Sequence, residues 1–145
     1  MAEEFRTEWI PGYGPSFWES KQVNRRLTPS QLLEIVQKHT EQEDALLTKA
    51  NRFFFTDTNA ITTATFARYH HGTIQADLAA LADQAVFPDQ AVFRYDPVFL
   101  CDNHIPCSDT PYRAGEVRRS EFQRQVVGDL HRRKVPCIVL QGSLE

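Results

Sequence analysis

Polar side chains follow four short apolar segments of this chain, at the points where each segment ends. The apolar segments are residues 7–10, 53–56, 98–101 and 137–140. The residues of interest behind them are Tyr13, Asp57, Thr58, Asn59, Asp102, Asn103, Gln141 and Ser143. If the segments are strands of an open parallel sheet, ligands gather outside their carboxyl ends. We therefore expect a binding site to be built from these residues.

Asp57 is the strongest candidate for chemistry, because it directly follows the apolar run Phe53–Thr56. A carboxylate at the end of a buried strand can organise Mg²⁺ beside nucleotide phosphates, since Mg²⁺ prefers oxygen ligands. The alternative is local: Asp57 caps the helix that follows it, and Thr58, Thr62 or Thr63 share that role.

Three arginines, Arg113, Arg118 and Arg119, lie in a glycine-containing stretch that opens a helix. Arginines in a mobile loop can clamp phosphates bidentately and exclude water when the loop closes. The alternative is a solvated helix start.

An aromatic cluster of Tyr13, Phe17 and Trp18 follows the first apolar segment. Such a cluster can stack on a flat heteroaromatic ligand, and it can equally well pack in the core.

A metal site is a further alternative, because Cys101, His104 and Cys107 are spaced C-x2-H-x2-C, with His70 and His71 as additional ligands. Zinc sites usually bring paired CxxC or HxxxH spacings, which this segment lacks. We therefore expect Cys101 to end a buried strand instead.

The elements that would position these residues alternate along the chain. The four apolar segments are typical of buried parallel strands. A helix is predicted within residues 28–51, beginning at the cap Thr28 and Pro29. Further helices are predicted from the Thr62/Thr63 region to about Tyr69, over residues 74–85, and over residues 119–134. This alternation predicts an α/β fold with a parallel sheet, and residues 85–93 form a loop insertion or a hairpin within it.

The composition bounds the class of protein. The 145 residues, of which 41% are hydrophobic, favour one domain spanning residues 1–145. A net charge of −3 argues against a global attraction to nucleic acid or anionic membranes. No apolar run approaches the roughly 18 residues of a membrane span, and the N-terminus is acidic, so a cytoplasmic location is the default. The three cysteines are expected to be free thiols.

Several motifs in order resemble the NadR-type ribosylnicotinamide (nicotinamide riboside) kinase family, a branch of the AAA-family P-loop ATPases. The resemblance rests on "ANRFFFTDTNAITTATFARYHHG", "YDPVFLCDNHIPCSDT", an Arg-Ala-Gly stretch and "VPCIVLQGSLE", and it extends from about Trp9 onward. It implies a three-layer α/β kinase fold, ATP with Mg²⁺, and phosphorylation of the ribose 5′-hydroxyl of nicotinamide riboside in NAD biosynthesis.

The resemblance also implies roles for individual residues. Asp57 corresponds to the catalytic carboxylate that organises Mg²⁺ indirectly, and Arg113 to the catalytic lid arginine. The residues implied on the nucleotide side are Thr58, Arg118 and Arg119, and those on the nucleoside side are Tyr13, Trp18 and Asn103.

Two features depart from the family pattern. The chain contains no G-x-x-x-x-G-K-[ST] loop, whose backbone amides and Lys would cradle the phosphates. In "PGYGPS", Gly12 stands where the family tends to have a carboxylate, and Pro15 replaces an arginine. We therefore expect this chain to be incomplete or inactive as a kinase. The alternative function is a non-catalytic nucleotide- or nucleoside-binding or interaction protein derived from the same fold.

The resemblance further places the family's first strand between the strands at residues 53–56 and 98–101. In its absence we expect these two strands either to pair directly or to leave a visible gap. Exposed strand edges of this kind could also join copies of the chain into a homo-oligomer.

Overall fold

Short parallel strands alternate with helices along the chain, as the apolar periodicity predicts. A computed structural model describes residues 2–21, 26–85, 94–102 and 119–142. The elements within these ranges are β1 Trp9–Ile10, α1 Tyr13–Ser20, α2 Pro29–Leu47, β2 Phe55–Thr56, α3 Ala60–His71, α4 Ala76–Gln84, β3 Val98–Cys101, α5 Arg119–Arg132 and β4 Cys137–Leu140. The prediction of a mixed α/β fold with parallel strands is confirmed.

The described strands form two separate two-stranded sheets. In the first sheet β1 pairs with β2, with Trp9 opposite Phe55, and in the second sheet β3 pairs with β4, with Val98 opposite Cys137. Both pairs are parallel, and β2 is not hydrogen-bonded to β3. Direct pairing is therefore not observed among the described strands, which is consistent with a gap. Residues 86–93, which could form a strand between them, lie outside the described part of the chain, so the gap stays a prediction.

Helix α2 begins where the sequence predicts. The Thr28 hydroxyl accepts a hydrogen bond from the Gln31 backbone amide at 3.3 Å, and the Gln31 side chain accepts one from the Thr28 amide at 2.9 Å. This reciprocal pair satisfies two amide groups that the first turn of a helix leaves without partners. Pro29 occupies the first turn, where its missing N–H costs nothing.

Helix α1 is an element that the sequence interpretation missed. No element was predicted directly after residues 7–10, where the sequence contains Gly14 and Pro15, but Tyr13–Ser20 is helical. Pro15 is compatible with this helix because it lies in the first turn, where no intrahelical amide bond is lost. Phe17, on the next turn, is 1% exposed and anchors α1 in the core.

Helix α3 lies at the centre of the packing. It contacts α2, α4 and α5, and its Ile61 is completely buried. Leu78 of α4 and Leu130 of α5 are buried against the same core. Most of the buried apolar residues therefore lie where these helices pack around α3, because the strands are too short to bury much apolar surface.

The prediction that the strands are buried is wrong for the second sheet and holds only for Ile10 in the first, where Trp9 is 54% exposed and β2 is half-buried. Strand β4 is exposed along its whole length, with Ile138 50% and Val139 47% exposed, and Phe99 of β3 is 49% exposed. Cys101 ends β3 as expected, but it is exposed rather than buried. The reason is that Val98 and Leu100 pack against the helical core while no described element covers the opposite face.

None of the described helices combines the length and apolar character that crossing a membrane requires.

Candidate functional site

The carboxyl ends of β1 and β2 meet, as expected for neighbouring parallel strands. The Asp57 amide donates to the Ile10 carbonyl at 2.9 Å and extends the pairing by one residue. The Gly12 amide lies 3.4 Å from Asp57 Oδ2, within the range of a long hydrogen bond. A Cβ at position 12 would meet Asp57 Oδ2 and Thr58 Oγ1 at 3.4 Å each, so the two turns are in close contact.

Asp57 does not cap α3, so the local alternative for this residue is wrong. Asn59 is the capping residue, because its Oδ1 accepts from the Thr62 amide at 3.0 Å. The Asp57 side chain is exposed and lines the groove described next. A carboxylate that is not needed as a cap is free to meet a ligand.

A groove of about 1030 Å³ lies between the two sheets, and we call it the central groove. Its walls come from residues 53–58 at β2, residues 98–101 of β3 and one side of α5. Both strands contribute apolar side chains, including Phe55 and Leu100. Polar residues, including Asp57, Thr58, Arg94 and Arg119, line the same groove. Apolar walls with a few polar groups are the usual combination in a ligand-binding cleft.

The central groove brings together some of the predicted site residues. Asp57, Thr58 and Arg119 all line it. Tyr13 and Trp18 are partly buried against the core and are not among the described residues of the groove lining. Their substrate-binding role stays a prediction. Asn103, Arg113 and Arg118 lie outside the described residues.

The strand-end expectation also holds in the second sheet. Gln141 follows β4 and Asp102 follows β3, and the Gln141 side-chain amide donates to Asp102 Oδ2 at 3.2 Å. Among the described residues, no group of three or more His, Cys, Asp or Glu is placed to hold a metal. The C-x2-H-x2-C hypothesis involves His104 and Cys107, which fall outside the described ranges.

Thr58 has a strained backbone next to Asp57. Its φ is +65°, in the left-handed region that β-branched residues rarely adopt. Residues held in this way cost of order 1–3 kcal/mol and cluster at functional sites.

Replacing Thr58 with glycine is expected to raise the free energy of unfolding by about 1 kcal/mol, because glycine adopts this conformation without steric cost. Urea unfolding followed by circular dichroism measures the change. The control is Thr63→Gly in α3, where the same substitution should destabilise by about 1 kcal/mol. Equal destabilisation by both substitutions would show that position 58 carries no strain.

A buried polar network around Glu43 was missed by the sequence analysis. Glu43 of α2 is 2% exposed, and its carboxylate accepts from Thr56 Oγ1 at 2.8 Å, Tyr95 OH at 3.0 Å and Arg94 Nε at 2.9 Å. His39, one turn earlier, places Nε2 at 2.9 Å from Thr56 Oγ1 and 3.2 Å from the carboxylate. The network is adjacent in sequence to Asp57, and Glu43, Arg94 and Tyr95 also line the central groove.

The network keeps Glu43 ionised. Burial by itself would raise the pKa of Glu43, but hydrogen bonds from His39, Thr56 and Arg94, together with the charge of Arg94, hold the pKa below its usual range. Burial, followed by the neighbouring carboxylate, raises the pKa of Tyr95. Tyr95 therefore keeps its proton and donates a hydrogen bond to the Glu43 carboxylate.

The geometry does not match a nucleophilic triad. The Thr56 hydroxyl donates its proton to Glu43, so it can act only as an acceptor towards His39 Nε2. The neutral His39 ring therefore carries its proton on Nε2. His39 Nδ1, the atom that an orienting carboxylate would hold in a triad, is buried and has no hydrogen-bond partner. The arrangement of Thr56, His39 and Glu43 therefore points to a structural or positioning role.

The residues around Asp57 fit a magnesium–nucleotide pair. Mg²⁺ in phosphate sites is usually held by one or two carboxylates together with phosphate oxygens and waters. Asp57 supplies one exposed carboxylate, the Gly12 amide supports one of its oxygens, and Arg119 contributes positive charge to the same groove. This donor set is suited to a hard cation and phosphate rather than to a soft metal.

Comparison with known proteins agrees with this class of ligand. A family model described as an AAA domain matches residues 1–145. No curated protein matches the sequence. AAA domains are P-loop NTPase-like, are associated with nucleotide binding and hydrolysis, and generally bind ATP and Mg²⁺. The match covers every position of the sequence, and the chain therefore belongs to the AAA domain family.

Proposed function

We propose that the chain binds a nucleotide with Mg²⁺ in the central groove, as a nicotinamide riboside kinase-like domain of cytoplasmic NAD biosynthesis. Its kinase activity is expected to be weak or lost, because the sequence contains no G-x-x-x-x-G-K-[ST] loop. The observation that carries the proposal is the position of Asp57. This carboxylate is exposed at the carboxyl end of β2, is not used as a helix cap, and faces a groove that also contains Thr58 and Arg119. The specific substrate follows from the motif resemblance, and the nucleotide class follows from the family.

In this proposal the chain's own residues bind and orient the phosphates. The Asp57 carboxylate holds the metal, directly or through water, and the Gly12 amide fixes its orientation. Arg119 offsets the negative charge of the phosphates at the α5 side of the groove. A bound Mg²⁺ would neutralise charge on the phosphates. The apolar walls around Phe55 and Leu100 exclude water from the space beside them.

Removal of the Asp57 charge is the direct test. Asp57→Asn is expected to weaken ATP binding in the presence of Mg²⁺ by about tenfold or more, because a hydrogen bond or contact to a charged group contributes about 1.5–3 kcal/mol. Binding without Mg²⁺ should change little or improve. Isothermal titration calorimetry with and without Mg²⁺ separates the two effects. The matched control is Asp77→Asn, an exposed carboxylate in the first turn of α4 that does not belong to the described groove lining.

If Mg²⁺ changes the affinity for ATP equally in the unsubstituted chain and in Asp57→Asn, the assignment of Asp57 is contradicted. Kinase activity is measured separately, as formation of the mononucleotide from nicotinamide riboside and ATP. Turnover that Asp57→Asn abolishes would support the kinase form of the proposal.

A non-catalytic nucleotide-binding role is the second candidate function, and one observation favours it. The position that faces Asp57 across the strand ends is Gly12, which has no side chain to deprotonate a substrate hydroxyl. Calorimetric binding of ATP or nicotinamide riboside without any turnover would select this role over the kinase role.

A further inference from the structure

Glu43 connects the two walls of the central groove through one buried carboxylate. On one side it accepts from Thr56, the last residue of β2 and the residue before Asp57. On the other side it accepts from Arg94 and Tyr95, which lie just before β3. The two sheets share no strand pairing in the part of the chain that the structure describes. The side-chain hydrogen bonds of Glu43 therefore connect the two sheets, which in a continuous sheet would be joined by backbone hydrogen bonds between strands.

The chemistry of the network makes it rigid. The carboxylate is buried, so its lone pairs must be satisfied from within the protein. Three donors from two separate segments do this: Thr56 on one, and Arg94 and Tyr95 on the other. Loss of the negative charge would leave Arg94 with only Asp44, whose side chain is 62% exposed, as its described carboxylate partner. An exposed pair of this kind holds a side chain only weakly.

We propose that Glu43 is a positioning residue that fixes the separation of the two groove walls and the orientation of the β2 end that presents Asp57. The part concerning Asp57 rests on the proposed nucleotide-binding function, whereas the part concerning the groove walls does not. Loss of the Glu43 charge lets the segment that carries Arg94 and Tyr95 move away from β2 and releases Thr56. The groove then widens, and Asp57 loses its fixed position.

We call the hydrogen bonds of Glu43 to Thr56, Arg94 and Tyr95 the brace, and its stability should depend on pH in a defined direction. A carboxyl group whose pKa is depressed in the folded protein contributes stability above its unfolded pKa, and that stability is lost as the pH falls through the folded pKa. The groups that face Glu43 are His39 and Thr56 on one side and Arg94 and Tyr95 on the other, with Asp44 beyond Arg94. The separation of the groove walls should therefore be the same at pH 5 as at pH 7. It should increase only when the pH falls below the ordinary carboxyl value of about 4.3.

The wall separation can be measured directly. Nitroxide labels are placed at Arg52→Cys and Phe99→Cys, two exposed positions on opposite walls, in a background where Cys101, Cys107 and Cys137 are serine. Double electron–electron resonance at pH 7 should give one narrow distance distribution. Glu43→Gln, which keeps the shape and removes the charge, should broaden the distribution and shift it to longer distances. In the unsubstituted chain the distribution should broaden only when the pH falls below the ordinary carboxyl value of about 4.3, whereas in Glu43→Gln it should not depend on pH over the same range. Circular dichroism verifies that the helices persist.

The matched control is Asp44→Asn, which removes the neighbouring exposed partner of Arg94 and leaves Glu43 intact. This variant should keep the narrow distribution. An unchanged distribution in Glu43→Gln, or an equal broadening in Asp44→Asn, would overturn the brace.

The positioning of Asp57 is tested by affinity. Glu43→Gln should weaken Mg²⁺-dependent ATP binding by about tenfold, although its own side chain is not assigned to the nucleotide. Widening of the groove with unchanged affinity would overturn the positioning role. If the unsubstituted chain binds no nucleotide, the proposed function fails, and the distance measurement still decides whether Glu43 braces the walls.

Two milder variants keep the test decisive if Glu43→Gln fails to fold. Thr56→Val removes the contact with the first wall, and Tyr95→Phe removes one contact with the second wall. If the two residues are linked through Glu43, their effects on the distance distribution should be non-additive. Additive effects would contradict a shared brace.

Discussion

Replacing Asp129 with alanine should lower the free energy of unfolding by about 3–5 kcal/mol, the usual result of removing one partner from a buried ion pair. Asp129 of α5 has a side chain that is 3% exposed, and it pairs with Arg68 of α3 and with Arg132. Arg133 lies 3.8 Å from the same carboxylate with a side chain that is only 8% exposed. Without Asp129, the buried Arg133 guanidinium keeps Asp83 as its one remaining carboxylate neighbour among the described residues.

The loss would be a large part of the stability of an ordinary domain, which totals about 5–15 kcal/mol. Urea unfolding monitored by circular dichroism measures it, and an unchanged dependence on urea concentration would show that the same structure unfolds. Glu41→Ala is the matched control, because Glu41 pairs with Lys38 at 2.8 Å and both side chains are exposed. This exposed pair should contribute no more than about 1 kcal/mol. Equal effects of the two substitutions would contradict the weight that we give to burial.

The local signals in the sequence predicted much of the fold. The bounds of β3 and β4 agree with the apolar runs at residues 98–101 and 137–140, and α2 begins at the Thr28 cap. The rule that parallel strands bring their carboxyl ends together placed Asp57 beside the end of β1. These features depend on neighbours in sequence or on general topology, and both can be read without coordinates.

The Glu43 network could not be predicted, because its partners are distant in sequence. Glu43 lies in the polar run "TEQEDA", where Glu41 and Asp44 have the same chemical character and remain exposed. Only the placement of β2 and of Arg94 against α2 distinguishes Glu43 from these neighbours. The exposure of β4 has a similar origin, since an apolar run predicts a strand but does not show whether a layer covers it.

Helix α1 shows how a local signal can be misread. No helix was predicted around Gly14 and Pro15, which are typical of turns, and the aromatic cluster of Tyr13, Phe17 and Trp18 was open to two interpretations, stacking on a ligand or packing in the core. The spacing of Tyr13 and Phe17, four residues apart, is helical and could have indicated the element. The structure separates the members of the cluster: Phe17 is 1% exposed within the core, whereas Tyr13 and Trp18 only pack partly against it.

Phe17→Ala is therefore expected to destabilise the protein by about 3–5 kcal/mol, as large-to-small substitutions of buried aromatic residues do. Phe17 joins α1 to the core that contains Ile61 and Leu78, so its loss removes apolar contact and leaves a cavity. Thermal and urea unfolding measure the change. Nucleotide affinity at a temperature where the variant is folded should stay the same, because Phe17 is not among the described residues of the groove lining.

The same substitution at an exposed aromatic residue separates burial from residue type. Phe99 is 49% exposed on β3, and Phe99→Ala should cost less than about 1 kcal/mol. A small effect at Phe17 would mean that α1 is held by Tyr13 and Trp18 instead, and these two side chains would then be structural rather than available to a nucleoside. A large effect at Phe17 with unchanged affinity would assign the anchoring of α1 to Phe17 and leave Tyr13 and Trp18 as candidates for substrate contact.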